Sequence, residues 1–113
     1  MSILDSINTS ADIKKLNSEQ LHTLCDELRA YEIDCISRTG GHLASNLGTI
    51  ELTLAIHRVY DSARDRIIFD VGHQSYTHKI ITGRREAFPS LRQYGGLSGF
   101  PKPYESDDDA FIA

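Results

Sequence analysis

The sequence predicts an α/β fold in which helices flank a parallel sheet. Residues 66–71 (RIIFDV) form a short, nearly continuous apolar run between two helical patterns. Such a run is typical of a strand that helices cover on both faces, as in a parallel sheet. Residues 47–60 are apolar nearly all round, which predicts a helix buried against the sheet or against another subunit. Because a new apolar element begins at residues 110–113, we expect this fold to be incomplete at the C-terminus.

The first half of the chain divides into an arm and two helices. Residues 1–16 carry scattered apolar side chains and predict an N-terminal arm that covers another surface, while residues 17–113 form the domain itself. Asn17 and Ser18 are good capping residues, and apolar residues at helical spacing then continue to about Ser37. Glycine-containing residues 39–46 (TGGHLASN) predict a loop, in which Ser45 or Asn46 caps the second helix.

The second half places a loop at the end of the predicted strand. Gly72, His73 and Gln74 follow that strand directly, and ligands of open α/β sheets bind at such carboxyl ends. Residues 75–82 predict a helix that stops at Gly83, and a short helical turn is expected around residues 89–94. The chain is loop-like from residue 97, and its acidic run at 105–109 is interpreted as a solvated loop. That run lacks the glycine and the closing glutamate of a calcium loop.

Composition narrows the class of protein. The chain has 113 residues, and 16 acidic against 12 basic residues give a net charge of -4. This balance argues against nucleic acid and anionic membranes as partners. No apolar stretch is long enough to cross a bilayer, and no secretory signal is visible at the start. Cys25 and Cys35 match no disulfide or zinc pattern, so we predict reduced thiols and a cytoplasmic location.

Histidines are the main candidates for chemistry. His42 and His73 lie beside glycines in predicted loops, where an imidazole suits proton transfer or a phosphate contact, although a purely structural role fits either residue equally well. His57, in the apolar helix, is predicted to be structural, and His22 to lie at the surface. The spacing of His42, His73 and His78 matches no metal signature, so no metal site is predicted.

Three sequence blocks together carry a more specific signal than any single motif. They are GGHLASNLG at 40–48 with ELT at 51–53, DVGHQ at 70–74 with HK at 78–79 and TGR at 82–84, and GGLSGF at 95–100 with ESD at 105–107. These blocks resemble one family, the 1-deoxy-D-xylulose-5-phosphate synthases, and occur in that family's order and spacing. The resemblance covers nearly the whole chain from about residue 3. The enzymes of this family depend on thiamine diphosphate and belong to the transketolase-like superfamily.

The resemblance implies a partial thiamine diphosphate-binding domain, namely the truncated N-terminal portion of domain I. It implies an enzyme that condenses pyruvate, with decarboxylation, and D-glyceraldehyde 3-phosphate. The product, 1-deoxy-D-xylulose 5-phosphate, serves isoprenoid, thiamine and pyridoxal biosynthesis. His42 matches the family's catalytic histidine. His73 matches a histidine that contacts the cofactor, and Ser45 and Asn46 are predicted to line the same cofactor site. The ligands of the magnesium ion are implied to lie beyond this chain.

The same reasoning predicts how the isolated chain behaves. We expect it to be inactive alone, and to associate through its uncovered apolar helix. The partner is a second copy, as in a homodimer, or the missing C-terminal part. Two alternatives stay open at this point: a non-catalytic interaction module, and one half of a split transketolase-like enzyme.

Overall fold

Helices and turns build the part of the chain that the structure, a computed structural model, describes, namely residues 2–70 and 72–110. Helix α4 continues directly into a π-helical turn, Ile80–Arg84. Within these residues no helix is both long and apolar enough to cross a membrane. The described helices are α1 (Ser18–Thr39), α2 (Leu43–Leu47), α3 (Ile50–Val59) and α4 (Tyr76–Lys79), and 3-10 turns lie at Leu4–Ser6, Ser10–Lys15 and Phe88–Ser90.

Helix α1 begins where its capping residues predict. The Asn17 side chain accepts a hydrogen bond from the Gln20 backbone N–H at 2.8 Å, and the Gln20 side chain accepts from the Asn17 N–H at 2.9 Å. This reciprocal capping box satisfies two backbone donors that the helix itself leaves unpaired. The helix ends at Thr39, rather than near Ser37, because Gly40 adopts a φ of 79°.

The N-terminal arm packs on the core of this same chain. The Glu27 carboxylate accepts hydrogen bonds from the N–H groups of Ile3 and Leu4, and Arg85 donates to the carbonyls of Leu4 and Ile7. The bonds to Glu27 hold the first 3-10 turn against α1. The second turn is joined to α3 instead, because Lys14 donates to the His57 carbonyl and Arg58 donates to the Lys14 carbonyl. The boundary between the arm and the domain at residue 17 stays a prediction. Arm and helix share one apolar core, which includes Leu4, Ile7, Ile13, Leu16, Leu24 and Leu28.

Helix α3 lies within the predicted helix at 47–60, whereas α2 occupies residues that were mostly assigned to the predicted loop at 39–46, so the loop prediction was wrong there. Asn46 lies inside α2 and Thr49 precedes α3, so neither Ser45 nor Asn46 caps the second long helix, and that prediction was wrong. The Thr49 hydroxyl instead donates to the carbonyl of Ser45 at 3.1 Å, a contact that bends helices. Helix α3 is buried on one face only: Leu52 on its other face is 60% exposed. An apolar surface of α3 is therefore uncovered in this chain.

The parallel sheet is not confirmed. No strand forms among the described residues, although Ile68 makes an isolated parallel bridge with Ala110. A strand needs neighbours for its backbone N–H and C=O groups, and Ala110 satisfies this need at one position only. Val71 and residues 111–113, where the predicted strand ends and a new element was expected, lie outside the described residues.

The last third of the chain agrees with the predicted helix but not with the predicted solvated loop. Helix α4 and its π-helical turn end around Gly83, whose φ is 94°. The acidic segment, residues 105–109, contains a buried Asp109 that is 5% exposed, and the Glu105 side chain is 9% exposed. The prediction of a solvated loop was wrong there, because basic residues of α4 and its π-helical turn bind both carboxylates.

Both cysteines are free and buried, as a prediction of reduced thiols requires. Cys25 and Cys35 lie on the core side of α1. Burial raises the pKa of each thiol, which disfavours the reactive thiolate. We interpret both as core residues.

One carboxylate on α1 is buried without a cation. Glu32 is 0% exposed, and its Oε2 accepts a hydrogen bond from the Thr77 hydroxyl at 2.5 Å. Burial raises its pKa to about 7, although the hydrogen bond from Thr77 acts in the opposite direction. In the folded protein Glu32 therefore keeps its proton over a pH range in which the unfolded chain loses it.

This shift predicts a stability that falls as the pH rises from about 4.5 to 7. Over that range the folded state holds a proton that the unfolded state releases, so a rise in pH favours unfolding. The free energy of unfolding should fall by about 3 kcal/mol in total. Glu32→Gln removes this loss, and urea unfolding should show the variant gaining on the wild type by that amount between pH 4 and pH 8. Glu86→Gln, at an exposed position, serves as the control. A Glu32→Gln gain that is the same at both pH values would contradict the account.

Candidate functional site

The structure brings His42 and His73 together. Their ring centroids lie 4.5 Å apart, with the ring planes tilted by 45°. His42 is exposed and immediately precedes α2, while His73 is half-buried in the turn that follows residues 66–70. The two histidines singled out by their glycine neighbours thus form one site, which we call the His42–His73 pair.

Asn46 connects the two loops that carry this pair. Its Nδ2 donates hydrogen bonds to the carbonyls of His42, at 2.5 Å, and of His73, at 2.8 Å. Its Oδ1 accepts from the Tyr76 backbone N–H at 2.9 Å, at the start of α4. The side chain is 0% exposed, so both amide hydrogens are already used inside the protein. Asn46 therefore sets the distance between the two backbones rather than facing open space.

Tyr76 contacts the backbone of the His42 loop. Its side chain is buried, and its hydroxyl oxygen accepts a hydrogen bond from the His42 backbone N–H at 3.3 Å. A Cβ atom on Gly41 would lie 2.8 Å from that hydroxyl, and the φ of Gly41 is 146°. Both the close approach and the backbone conformation require glycine at this position.

A second glycine brings the third sequence block to the His73 turn. Gly72 has a φ of 103°, and a Cβ atom there would lie 2.5 Å from Cδ of Pro101. The loop around Pro101 therefore lies directly against the residue that precedes His73. In this way the GGLSGF block and the residues after it help to shape the surroundings of the His42–His73 pair.

Ser45 and Gln74 lie next to the pair but contribute differently. Ser45 is half-buried on α2, and its carbonyl accepts from Thr49. Its predicted contact with a cofactor stays a prediction. The Gln74 Nε2 donates to the Asp70 carbonyl at 3.0 Å, whereas its buried Oε1 has no hydrogen-bond partner among the described residues. The sequence analysis did not single out Gln74, whose Oε1 can still accept a hydrogen bond.

A buried ionic cluster holds the acidic segment on α4. Lys79 Nζ lies 2.6 Å from Oε1 of Glu105, and Arg84 binds the carboxylates of Glu105 at 3.1 Å and of Asp109 at 2.7 Å. His78 Nε2 lies 2.9 Å from Oδ1 of Asp109. Burial alone would raise the pKa of Asp109, but hydrogen bonds from Arg84 and His78 hold it below its usual range. Removing one partner of such a pair costs about 3–5 kcal/mol, because a buried charge is left alone.

The other histidines behave as the sequence predicts. His57 is buried on α3, where Nδ1 contacts the Thr53 carbonyl at 2.8 Å, so it is a satisfied structural residue. His22 is exposed on α1. Among residues 2–70 and 72–110, no group of three or more His, Cys, Asp or Glu side chains is arranged to hold a metal ion.

Comparison with known proteins identifies the family. The sequence profile described as 1-deoxy-D-xylulose-5-phosphate synthase matches residues 4–113. A protein of that name from Natranaerobius thermophilus is 62% identical over 109 residues, and one from Cupriavidus metallidurans is 58% identical over the same length. In both cases the match covers 96% of this chain and 17% of the relative. The chain belongs to the 1-deoxy-D-xylulose-5-phosphate synthase family, and it spans about one sixth of the length of these curated relatives.

The role of Asn46 predicts a specific defect. In Asn46→Asp the side chain still accepts from Tyr76, but it donates nothing and places a negative charge against two carbonyl oxygens. We expect a loss of about 2–4 kcal/mol of unfolding free energy. Nuclear Overhauser contacts between the rings of His42 and His73 should also be lost.

The neighbouring substitution Ser45→Ala is the control for this experiment. It should change the unfolding free energy by less than about 0.5 kcal/mol and keep the ring contacts. If Asn46→Asp also preserves both the stability and the contacts between His42 and His73, then Asn46 does not hold the two loops together.

Proposed function

We propose that this chain is the N-terminal part of a thiamine diphosphate-dependent transferase that makes 1-deoxy-D-xylulose 5-phosphate. The complete enzyme would condense pyruvate, with decarboxylation, and D-glyceraldehyde 3-phosphate, and would serve isoprenoid, thiamine and pyridoxal biosynthesis. The observation that carries the proposal is the His42–His73 pair, whose two rings come from two of the family's sequence blocks and lie 4.5 Å apart. Because the chain spans 17% of its relatives, we propose that it is inactive alone.

The two histidines have different positions, which suggests different roles. His73 is half-buried on a backbone held by Asn46 and Gly72, and this suits a group that binds the cofactor. His42 is exposed at the edge of the site, where its ring nitrogen can give or take a proton at a substrate oxygen. Thiamine diphosphate itself, when bound, would supply the stabilisation of the substrate carbanion.

Asn46 and Ser45 complete the proposed cofactor site. We assign Asn46 to it through the hydrogen bonds to the His42 and His73 carbonyls. A direct contact between its amide hydrogens and the cofactor would require one of these bonds to break. Ser45, which is half-buried beside it on α2, is the better candidate for direct contact.

Among residues 2–70 and 72–110, no cluster of side chains suits the magnesium ion that accompanies a diphosphate. Magnesium prefers carboxylate and other oxygen ligands in octahedral geometry. The buried carboxylates of Glu105 and Asp109 are already bound by Lys79, Arg84 and His78. We therefore propose that magnesium is held by residues outside this chain.

The partner of this chain is proposed to cover its apolar groove. Residues 67–69 and the exposed face of α3 line a groove of about 210 Å³, next to the parallel bridge between Ile68 and Ala110. We propose that a parallel sheet grows from this bridge in the complete protein. Either the remainder of the enzyme or a second copy, as in a homodimer, would cover the groove. A cytoplasmic location, with no nucleic acid or membrane as partner, completes the proposal.

Histidine variants of the complete synthase test the assigned roles. His42→Ala should lower kcat by about 10²–10⁴-fold with little change in thiamine diphosphate affinity, because its role is proton transfer in the reacting complex. His73→Ala should weaken cofactor affinity as well. Steady-state kinetics and cofactor titration separate the two effects.

His22→Ala, at an exposed position on α1, is the matched control and should change neither quantity. Small effects of equal size on kcat and on cofactor affinity in both site variants would overturn the assignment of roles.

A further inference from the structure

A second histidine pair lies buried outside the proposed site. His57 and His78 are each 0% exposed, and their ring centroids are 4.9 Å apart. Together with Thr53 and Asp109 they form a continuous chain of contacts. His57 Nδ1 lies 2.8 Å from the Thr53 carbonyl, His57 Nε2 lies 2.8 Å from His78 Nδ1, and His78 Nε2 lies 2.9 Å from Oδ1 of Asp109. The proposed mechanism uses neither histidine.

The partners in this chain determine how many protons it holds. The Thr53 carbonyl can only accept, so His57 Nδ1 carries a hydrogen. Asp109 also accepts from Arg84 and from the Lys102 backbone N–H, so it is an ionised acceptor and His78 Nε2 carries a hydrogen. The contact between His57 Nε2 and His78 Nδ1 needs one more hydrogen. Three ring protons are therefore required, whereas two neutral imidazoles carry only two.

The counter-charge that can accompany the extra proton lies beside His78, whose Nε2 is 2.9 Å from Oδ1 of Asp109. Burial, followed by the coulombic effect of His78, lowers the pKa of His57 to about 4, so His57 is the neutral ring. Asp108 and Lys14 also act on His57, in opposite directions. His78 faces Asp109 on one side and the ring of Phe69, at 5.3 Å between centroids, on another. Nearby, the cations Lys79 and Arg84 are bound by Glu105 and Asp109.

Asp109 connects this proton to the loop beside His73. Its Oδ2 accepts from the Lys102 N–H at 2.9 Å, which fixes the chain next to Pro101. Pro101 in turn lies against Gly72, the residue before His73. His78 is thus connected to the His73 turn through Asp109 and the loop at residues 101–102.

We propose that the buried His57–His78 pair holds one extra proton, and that this proton keeps the loop at residues 101–102 closed on the His73 turn. When the proton leaves, the one hydrogen left on His78 stays on Nδ1 between the rings, so His78 Nε2 and the Asp109 carboxylate face each other as two acceptors. The Asp109 contact then weakens and the loop opens. His78 is in this sense a positioning residue, and this inference does not depend on the proposed function.

Nuclear magnetic resonance of the chain with ¹⁵N-labelled histidine tests the proton count. At pH 7 the two buried rings should show three protonated nitrogens, with His57 Nε2 as the single unprotonated one. Finding two protonated nitrogens would overturn the proposal. Neither result depends on enzyme activity, so failure here is distinct from failure of the proposed function.

Amide hydrogen exchange tests the effect on the loop. As the pH is raised until the third ring proton is lost, protection of the Lys102 amide, corrected for the intrinsic exchange rate, should fall at least about 10-fold. The Ser98 amide is the internal control, because it donates to Glu105, which Lys79 and Arg84 hold without a histidine. Constant Lys102 protection through that titration would contradict the proposal.

His57→Leu separates the shared proton from general packing. In this variant a neutral His78 can still donate from Nε2 to Asp109, so Lys102 protection should persist but no longer change with pH. A variant that keeps the wild-type pH dependence would overturn the role of the pair. If the variant does not fold, the titration of the wild-type chain decides the question alone.

Discussion

The described structure depends on the buried ionic cluster between α4, with its π-helical turn, and the acidic segment. Without Glu105 and Asp109, Lys79 and Arg84 would each be a buried, uncompensated cation. Without these two cations, burial of the two carboxylates would be equally unfavourable. Neither side of the cluster is stable in the interior alone. Because the cations and the carboxylates stabilise each other, residues 98–110 fold back onto α4 and its π-helical turn.

Two histidine pairs with different environments follow from this arrangement. The His42–His73 pair lies at the surface, because the glycine loops and Asn46 place the two rings at an open edge. The His57–His78 pair is buried under the acidic segment, and Asp109 gives it a counter-charge. The first pair can exchange protons with a ligand, whereas the second can exchange them only if the loop moves. We therefore propose one histidine pair for chemistry and a second that holds a neighbouring loop.

Local signals in the sequence predicted part of this structure. The cap at Asn17, the helix end at Gly83 and the glycine-flanked His42 and His73 all depend on interactions within a few residues. The bonds from His78 to Asp109 and from Lys79 to Glu105 span 31 and 26 positions, and no spacing pattern encodes them. The acidic segment was therefore misjudged as solvated. The predicted parallel sheet is not confirmed, because a strand forms only with neighbours and Ile68 has one bridge partner among the described residues.

We propose that this chain carries two histidines of a cofactor site, and that the groups that hold a magnesium diphosphate lie outside it. Calorimetric titration of the 113-residue chain with thiamine diphosphate and magnesium tests this most directly. We expect no saturable heat of binding, because two imidazoles alone cannot offset several phosphate charges. Saturable binding with a micromolar Kd would contradict it, and would mean that the chain, alone or as an oligomer, builds a complete cofactor site.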